Sequence, residues 1–265
     1  MPSYVVAGAS RGIGLQFVVD LIARGDTVIA LARNPEKSQG LQKIKGHKGL
    51  TILQADITDP ASLKAAAEET AKVTGGSVDV LINNGVYMEK TYMFYTLIDF
   101  PSTEELITDF TKAFQTNVLG PILTTNTFLP LLRKGTLKRV ITLGTGAGDA
   151  NFILKSGYPK FPSYCVSKSA LEMVNAKYTV ALKDEGFTFL DISPGVVDTA
   201  EAAPSKEELR ELNETVTAFK RAYPDWTGNP MTPAESVKLM LGIIDKLTVE
   251  DSGKFVSHKN NREWL

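Results

Sequence analysis

Residues 4–14 read Tyr4-Val5-Val6-Ala7-Gly8-Ala9-Ser10-Arg11-Gly12-Ile13-Gly14, and this stretch decides the fold. A short run suited to a buried strand enters a turn with three glycines, and a helix-like pattern follows over about 12–24. Glycine permits a tight turn and lets the backbone approach a pyrophosphate closely. The start of the helix adds free N–H groups and the positive end of its dipole, which makes the turn a candidate anion site. A glycine-rich string alone is weak evidence; its place between a strand and a helix is the context the chemistry needs.

Outward from that turn the pattern repeats. Strand-like runs occur at Tyr4–Ala7, Thr27–Leu31, Thr51–Leu53, Val78–Ile82, Arg139–Leu143, Thr188–Ile192 and Lys254–Val256. Helix-like segments lie between them at about 12–24, 35–44, 60–73, 103–133, 163–184 and 233–247. Strands separated by helices predict βαβ units and a parallel sheet covered on both faces. Right-handed crossovers make this a doubly wound α/β fold of about seven strands, with its ligand crevice at the strands' C-terminal ends. The whole chain, 1–265, is expected to be one domain. Ala200–Asn229 breaks the alternation with a charged helix-like piece, Ser205–Arg221, between Pro204 and Pro224. It reads equally as a surface excursion or as a substrate lid at about 200–229.

Composition narrows the function classes. Hydrophobic residues make up 43% and charged residues 22%, and the net charge is −1. There is no basic footprint, so no nucleic-acid partner is expected. The single cysteine, Cys165, rules out an intramolecular disulfide and fits a reducing compartment. Met1-Pro2-Ser3-Tyr4 enters a strand-like run without the basic and apolar regions of a secretory signal. No stretch approaches 18 consecutive apolar residues, so no membrane span is expected, and a cytoplasmic location is. His47 and His258 lie far apart with no ligand-spaced neighbours, so no metal site is expected.

Two further patterns carry chemistry. An NAD-type site needs an acid about 20 residues after the turn, to hold the ribose 2′-hydroxyl. Here the second strand ends Ala30-Leu31-Ala32-Arg33-Asn34, with Arg33 in that place. Arg11 and the Ser10 hydroxyl add to it, a set suited to clamping a 2′-phosphate and hence to NADP(H); the alternative is that both arginines are solvated surface charges. Tyr164 and Lys168 stand at i and i+4 and share a helix face. A phenol is a poor base and an adequate acid at neutral pH, and a neighbouring ammonium is expected to draw its pKa down.

Taken together, the glycine spacing, the Tyr164/Lys168 pair after the fifth strand and the segment Asp191–Thr199 after the sixth resemble the short-chain dehydrogenase/reductase family. The resemblance runs from about residue 4 to about 257 and implies a Rossmann-like sheet, mostly parallel, with helices on both faces. It implies an NADP(H)-dependent oxidoreductase that moves a hydride between nicotinamide and a carbonyl or secondary alcohol. Tyr164 would protonate the carbonyl oxygen, and Lys168 would lower the Tyr164 pKa and hold the nicotinamide ribose. Thr145 falls where the family has its serine. Asn117 matches an asparagine that helps relay protons, and reads otherwise as a buried amide. Gly8, Ser10, Arg11, Gly12, Ile13 and Gly14 would line the pyrophosphate, with Asp56 and Ile57 near the adenine; Asp56 also reads as a turn residue. Pro194, Gly195, Val197 and Thr199 would flank the nicotinamide.

The chain departs from the family in two places. Ala7 replaces the usual threonine, and Asn83-Asn84-Gly85-Val86 looks like the family's Asn-Asn-Ala-Gly string with its alanine deleted. Either Gly85 takes the glycine's place or Val86 crowds the cofactor. Tyr87, Tyr92, Phe94, Tyr95, Phe100 and Trp226 suggest an aromatic pocket for a hydrophobic, ring-containing substrate, with Phe152, Tyr158 and Phe161 in its wall. Some of these aromatics are expected in the core. The same fold can also serve isomerisation, dehydration or cyclisation, or a non-catalytic dinucleotide sensor; a sensor has no need of the Tyr164/Lys168 pair. A homo-oligomer through 103–133 and 163–184 follows from the resemblance alone.

Overall fold

The computed structural model describes residues 1–265. Its seven strands are β1 (Ser3–Ala7), β2 (Thr27–Ala32), β3 (Leu50–Gln54), β4 (Val80–Asn83), β5 (Arg139–Leu143), β6 (Thr188–Ser193) and β7 (Lys254–Ser257). They form one sheet in the order β3-β2-β1-β4-β5-β6-β7, and every pairing is parallel. The order reverses between β1 and β4, so the crevice opens where those two strands part.

The apolar runs explain the sheet. Both faces are covered, so strands such as Val5-Val6 and Leu81-Ile82 are buried residue after residue rather than alternately. On one face α1 (Gly12–Ala23) and α9 (Pro233–Ile244) pack Phe17, Val18, Leu21, Val237 and Met240 over Val6, Val28 and Ile82. On the other, α3 (Pro60–Thr74), α5 (Gly120–Leu132) and α7 (Pro162–Ala181) cover Val5, Ile29, Leu81 and Phe189. The remaining helices are α2 (Gln39–Ile44), α4 (Thr103–Phe114), α6 (Ala150–Ser156) and α8 (Lys206–Ala222).

Several boundaries differ from expectation. The helix expected over 103–133 is broken into α4, a single wide π turn at Gln115–Leu119, and α5. The segment 35–44 splits into a short 3-10 turn and α2 after Ser38, whose hydroxyl accepts from Leu41 N. Glycine-rich 145–161 contains a helix, α6, capped by Asp149. The excursion at 200–229 is docked. α8 opens on a Ser205/Glu208 capping box, buries Ala218, Phe219 and Ala222, and stacks Phe219 edge-on against Phe152 and Tyr158. Phe152 and Tyr158 are thus core residues of this smaller cluster, not open pocket wall.

No helix is long and apolar enough to cross a membrane.

Candidate active site

The β1–α1 turn is shaped by contacts that exclude side chains. Gly8 has φ +85°, and a Cβ there would lie 2.6 Å from Gly85 N. A Cβ on Gly14 would overlap the Gly8 carbonyl and come 2.5 Å from Asn84 Nδ2. That same Nδ2 donates to Gly8 O at 2.8 Å. Arg11 is the residue before α1, with no side-chain cap and no acid in the first turn. The first N–H groups of the helix are therefore free for an anionic ligand. Ile13 packs against the core beneath.

Gly8 N and Ala9 N both bond Leu31 O, so the turn sits at the end of β2, just before Arg33. The Ser38 hydroxyl bonds Ser10 O on the same side. Arg33 is exposed. Arg11 is exposed too, but its Nη1 lies 3.3 Å from Glu201 Oε2.

In the shortened Asn83–Val86 turn, Gly85 is the residue that meets the phosphate turn. Gly85 lies against Gly8, and a Cβ on it would come 2.6 Å from Ile57 Cδ1. Val86 is exposed. The Asn83 side chain is buried and its Nδ2 donates to Thr125 Oγ1 at 3.1 Å. Asp56 forms the turn that was its alternative reading, with Oδ1 accepting from Thr58 N and Oγ1.

After β6, Ser236 Oγ donates to Pro194 O at 2.8 Å. Met231 N bonds Val196 O, and Asp198 N bonds Met231 O, fixing Val197 between them. Gly195 has φ +79°, with Met231 and His258 against it. Thr199 arches back over Gly12: a Cβ on that glycine would lie 3.1 Å from Thr199 Cγ2.

Tyr164 sits in the first turn of α7 and Lys168 one turn later. Lys168 is buried and its Nζ donates to Leu143 O. Thr145 follows β5, and its Oγ1 accepts from Ala147 N at 3.2 Å. Burial pushes the Tyr164 phenol up to about 12, Cys165 adds to that, and the Thr145 hydroxyl pulls the other way. The expected downward pull from Lys168 is absent. That ammonium donates to Leu143 O, and the charge of Asp191 also favours the neutral phenol. Tyr164 therefore stands as a protonated acid.

Asn117 lies in the π turn and is fully buried. Its Oδ1 accepts from Tyr87 N at 2.6 Å, and its Nδ2 donates to Tyr87 O and Ser167 Oγ. Both amide hydrogens are used, so its side chain is a brace between α4–α5, α7 and the loop after β4.

The aromatics divide. Tyr92, Tyr95 and Phe100 pack on one another, and Tyr87 turns its buried hydroxyl toward Asp109. Phe94, Phe161, Tyr158, Phe219 and Trp226 form a chain of ring contacts from the post-β4 loop to α8. Phe161 N bonds Met93 O, which holds that loop beside the start of α7.

The short chain dehydrogenase family model matches residues 3–210. The chain belongs to the short-chain dehydrogenase/reductase family. Fungal members are close over full length: one from Arthrinium sp is 37% identical, and one from Aspergillus aculeatus is 38% identical, each match covering 100% of both chains. Among solved structures, the NADPH-bound carbonyl reductase from chicken fatty liver superposes with a TM-score of 0.78 at 28% identity, covering 98% of each chain. The family's seven-stranded Rossmann-like fold is thus present in full.

One residue of this short-chain dehydrogenase/reductase escaped the sequence reading. Asp191 is completely buried in β6. The signal was there: a carboxylate between Leu190 and Ile192, in a strand expected to be covered on both faces.

Proposed function

We propose that the protein is an NADP(H)-dependent reductase acting on a carbonyl, or on the corresponding secondary alcohol, of a hydrophobic, ring-containing small molecule. The observation that carries this reading is the phenol of Tyr164, held protonated beside the Thr145 hydroxyl at the end of β5.

The residues fit the dinucleotide. The glycine turn packs backbone on backbone, since a Cβ at Gly8 would strike Gly85 and one at Gly14 the Gly8 carbonyl, and the first turn of α1 has uncapped N–H groups for the pyrophosphate. Arg11, Arg33 and Ser10 would hold the 2′-phosphate, and Asp56 and Ile57 the adenine side. Val197, Thr199 and the Pro194-Gly195 turn would hold the nicotinamide side. When bound, the cofactor supplies the hydride. The similarity to a carbonyl reductase whose structure was solved with NADPH supports both cofactor and substrate class.

The chain's own part is proton handling. As carbon receives the hydride, the Tyr164 O–H donates its proton to the carbonyl oxygen, and the Thr145 hydroxyl donates a hydrogen bond to the same oxygen as charge develops. Lys168 would hold the nicotinamide ribose beside Tyr164. The ring chain through Phe94, Phe161 and Trp226 offers an apolar contact surface, and α8 would act as its cover.

The reading includes a homo-oligomer. Val166, Met173 and Val180 are exposed at seven-residue spacing on α7, and Ile107 and Phe114 on α4. Light scattering on the purified protein checks it. The central test mixes the protein with NADPH or NADH and a panel of aromatic and aliphatic ketones, beside Tyr164→Phe. Ketone-dependent NADPH oxidation that Tyr164→Phe abolishes is the expected result. Turnover unchanged in that variant, or a preference for NADH, overturns the corresponding part.

A further inference from the structure

Behind Tyr164 and Lys168 lies an ionisable group that the reaction as described does not use. Asp191 has no solvent-exposed surface, and neither of its carboxylate oxygens has a hydrogen-bond partner. Buried carboxylates ordinarily gather donors. A bare one is a standing cost to the fold unless an opposite charge offsets it.

The surroundings are arranged around that carboxylate. In the β5–β6 register Asp191 lies beside Thr142, and Ile192 beside Leu143. Side chains alternate along a strand. Phe189, two residues earlier, stacks on Tyr178 of α7, so Asp191 faces α7 as well. A Cβ at Gly144 would overlap Asp191 Oδ1, so the absence of a side chain there makes the space. The Lys168 ammonium rests on the carbonyl of Leu143, the residue next to that glycine. Carboxylate and ammonium thus sit against consecutive residues at one strand end, on the same side of the sheet.

The other charged groups do not supply a competing partner. On α7, Glu172 pushes the Asp191 carboxyl up and is itself paired with Arg262. Arg262 also reaches Asp149 and covers the Phe255 and Trp264 rings. β7 presents Phe255 at this register position, and its Lys254 is turned outward to Asp251. β5 presents the uncharged Thr142. Burial pushes Lys168 toward its neutral form and Asp191 toward its own, and the attraction between the two opposes both shifts.

We propose that Asp191 is a positioning residue for the reduction: its carboxylate is the buried counter-ion that keeps Lys168 charged at the end of β5. The proposal rests on the reading of Tyr164 and Lys168 given above. Its sign is definite. Without Asp191, Lys168 loses its proton at lower pH, so whatever depends on the ammonium fails earlier as pH rises.

The test is Asp191→Asn, which keeps the volume and removes the charge, with Asp191→Ser as a second variant. The pH profile of kcat/KM for NADPH-dependent ketone reduction is measured between pH 6 and 10, together with NADPH affinity from cofactor fluorescence and the thermal midpoint. The basic limb is expected to move down by about one pH unit, and NADPH affinity at pH 9 to fall about tenfold relative to wild type while differing little at pH 6. The thermal midpoint is expected to fall modestly with folding retained, because the buried Lys168 ammonium has lost its counter-ion. An unchanged pH profile with unchanged affinity overturns the proposal. So does failure of both variants to fold, since oxygens without partners would then be doing structural duty. If wild type turns over no ketone, the functional reading fails, and the pH dependence of NADPH binding in the variant still decides the role of Asp191.

Discussion

The β1–α1 turn and the 145–161 segment both lie at the C-terminal edge of the sheet, yet they are held there by different means. The turn is fixed by backbone against backbone: Gly8 on Gly85, Gly14 on the Gly8 carbonyl, Asn84 bonded to Gly8 O. The 145–161 segment is fixed by side chains from remote parts of the chain. Tyr158 reaches Thr215 on α8, Lys160 pairs with Glu211 and Glu214, and Trp264 Nε1 donates to Asp149. One half of the crevice tolerates almost no added atom. The other is a removable assembly whose ties can be cut singly. A cofactor site common to many substrates suits the first kind of construction, and a substrate wall suits the second.

The largest effect should come where the two halves meet. Tyr164→Phe removes the acid without touching the turn, so kcat should fall by about a thousandfold while NADPH affinity stays unchanged, as steady-state kinetics and fluorescence titration would show. Next comes the rigid half. Gly14→Ala forces a Cβ into the Gly8 carbonyl, and should cost about 2 kcal/mol of stability in denaturant unfolding, with NADPH binding lost alongside. Arg33→Ala should weaken NADPH about tenfold and leave NADH alone, the loss of one charge-assisted contact; equal weakening of both would remove the arginine from the 2′-phosphate.

The soft half should answer more mildly. Lys160→Met cuts the tie to Glu211 and Glu214, and should make residues 200–229 easier to cleave in limited proteolysis while leaving NADPH affinity intact. The same tie has a pH signature. Lys160 holds the Glu211 carboxyl below its usual range. A carboxyl depressed in the folded state contributes stability that is present above its ordinary pKa and lost as pH falls through the lowered one. Proteolysis of wild type should therefore accelerate below about pH 4, and the variant should lack that acid step.

This contrast also explains what the sequence revealed. The sheet, its seven strands and the glycine turn were legible, because each depends on local pattern: buried runs, glycines between strand and helix, a tyrosine and lysine one turn apart. Arg11 was legible as a cation but not as a partner of Glu201, 190 positions away. α6 hid inside a glycine-rich stretch because its start depends on the Asp149 cap rather than on an apolar stripe. Asn83 and Asn84 look alike in sequence, yet strand alternation sends one into the α5 side and the other to Gly8. The lowered phenol pKa expected of Tyr164 failed for a similar reason: burial of the ring raises it, and the charge of Asp191, far along the chain on β6, adds to that.

The π turn at Gln115–Leu119 has a consequence for the spacing of the site. Asp109, Ala113, Asn117 and Pro121 are all buried, four residues apart. On an unbroken α-helix, such a column would wind about 120° around the axis from first to last, since each four-residue step overshoots a turn by about 40°. One surplus residue in the wide turn cancels most of that drift. The turn works as a phase corrector, keeping the brace at Asn117 and the carboxyl of Asp109 on a single seam. A one-residue deletion there would not be absorbed as it is in a loop. It would rotate α4 by about 100° against α5 and carry Asp109 off Tyr87, with the post-β4 loop following.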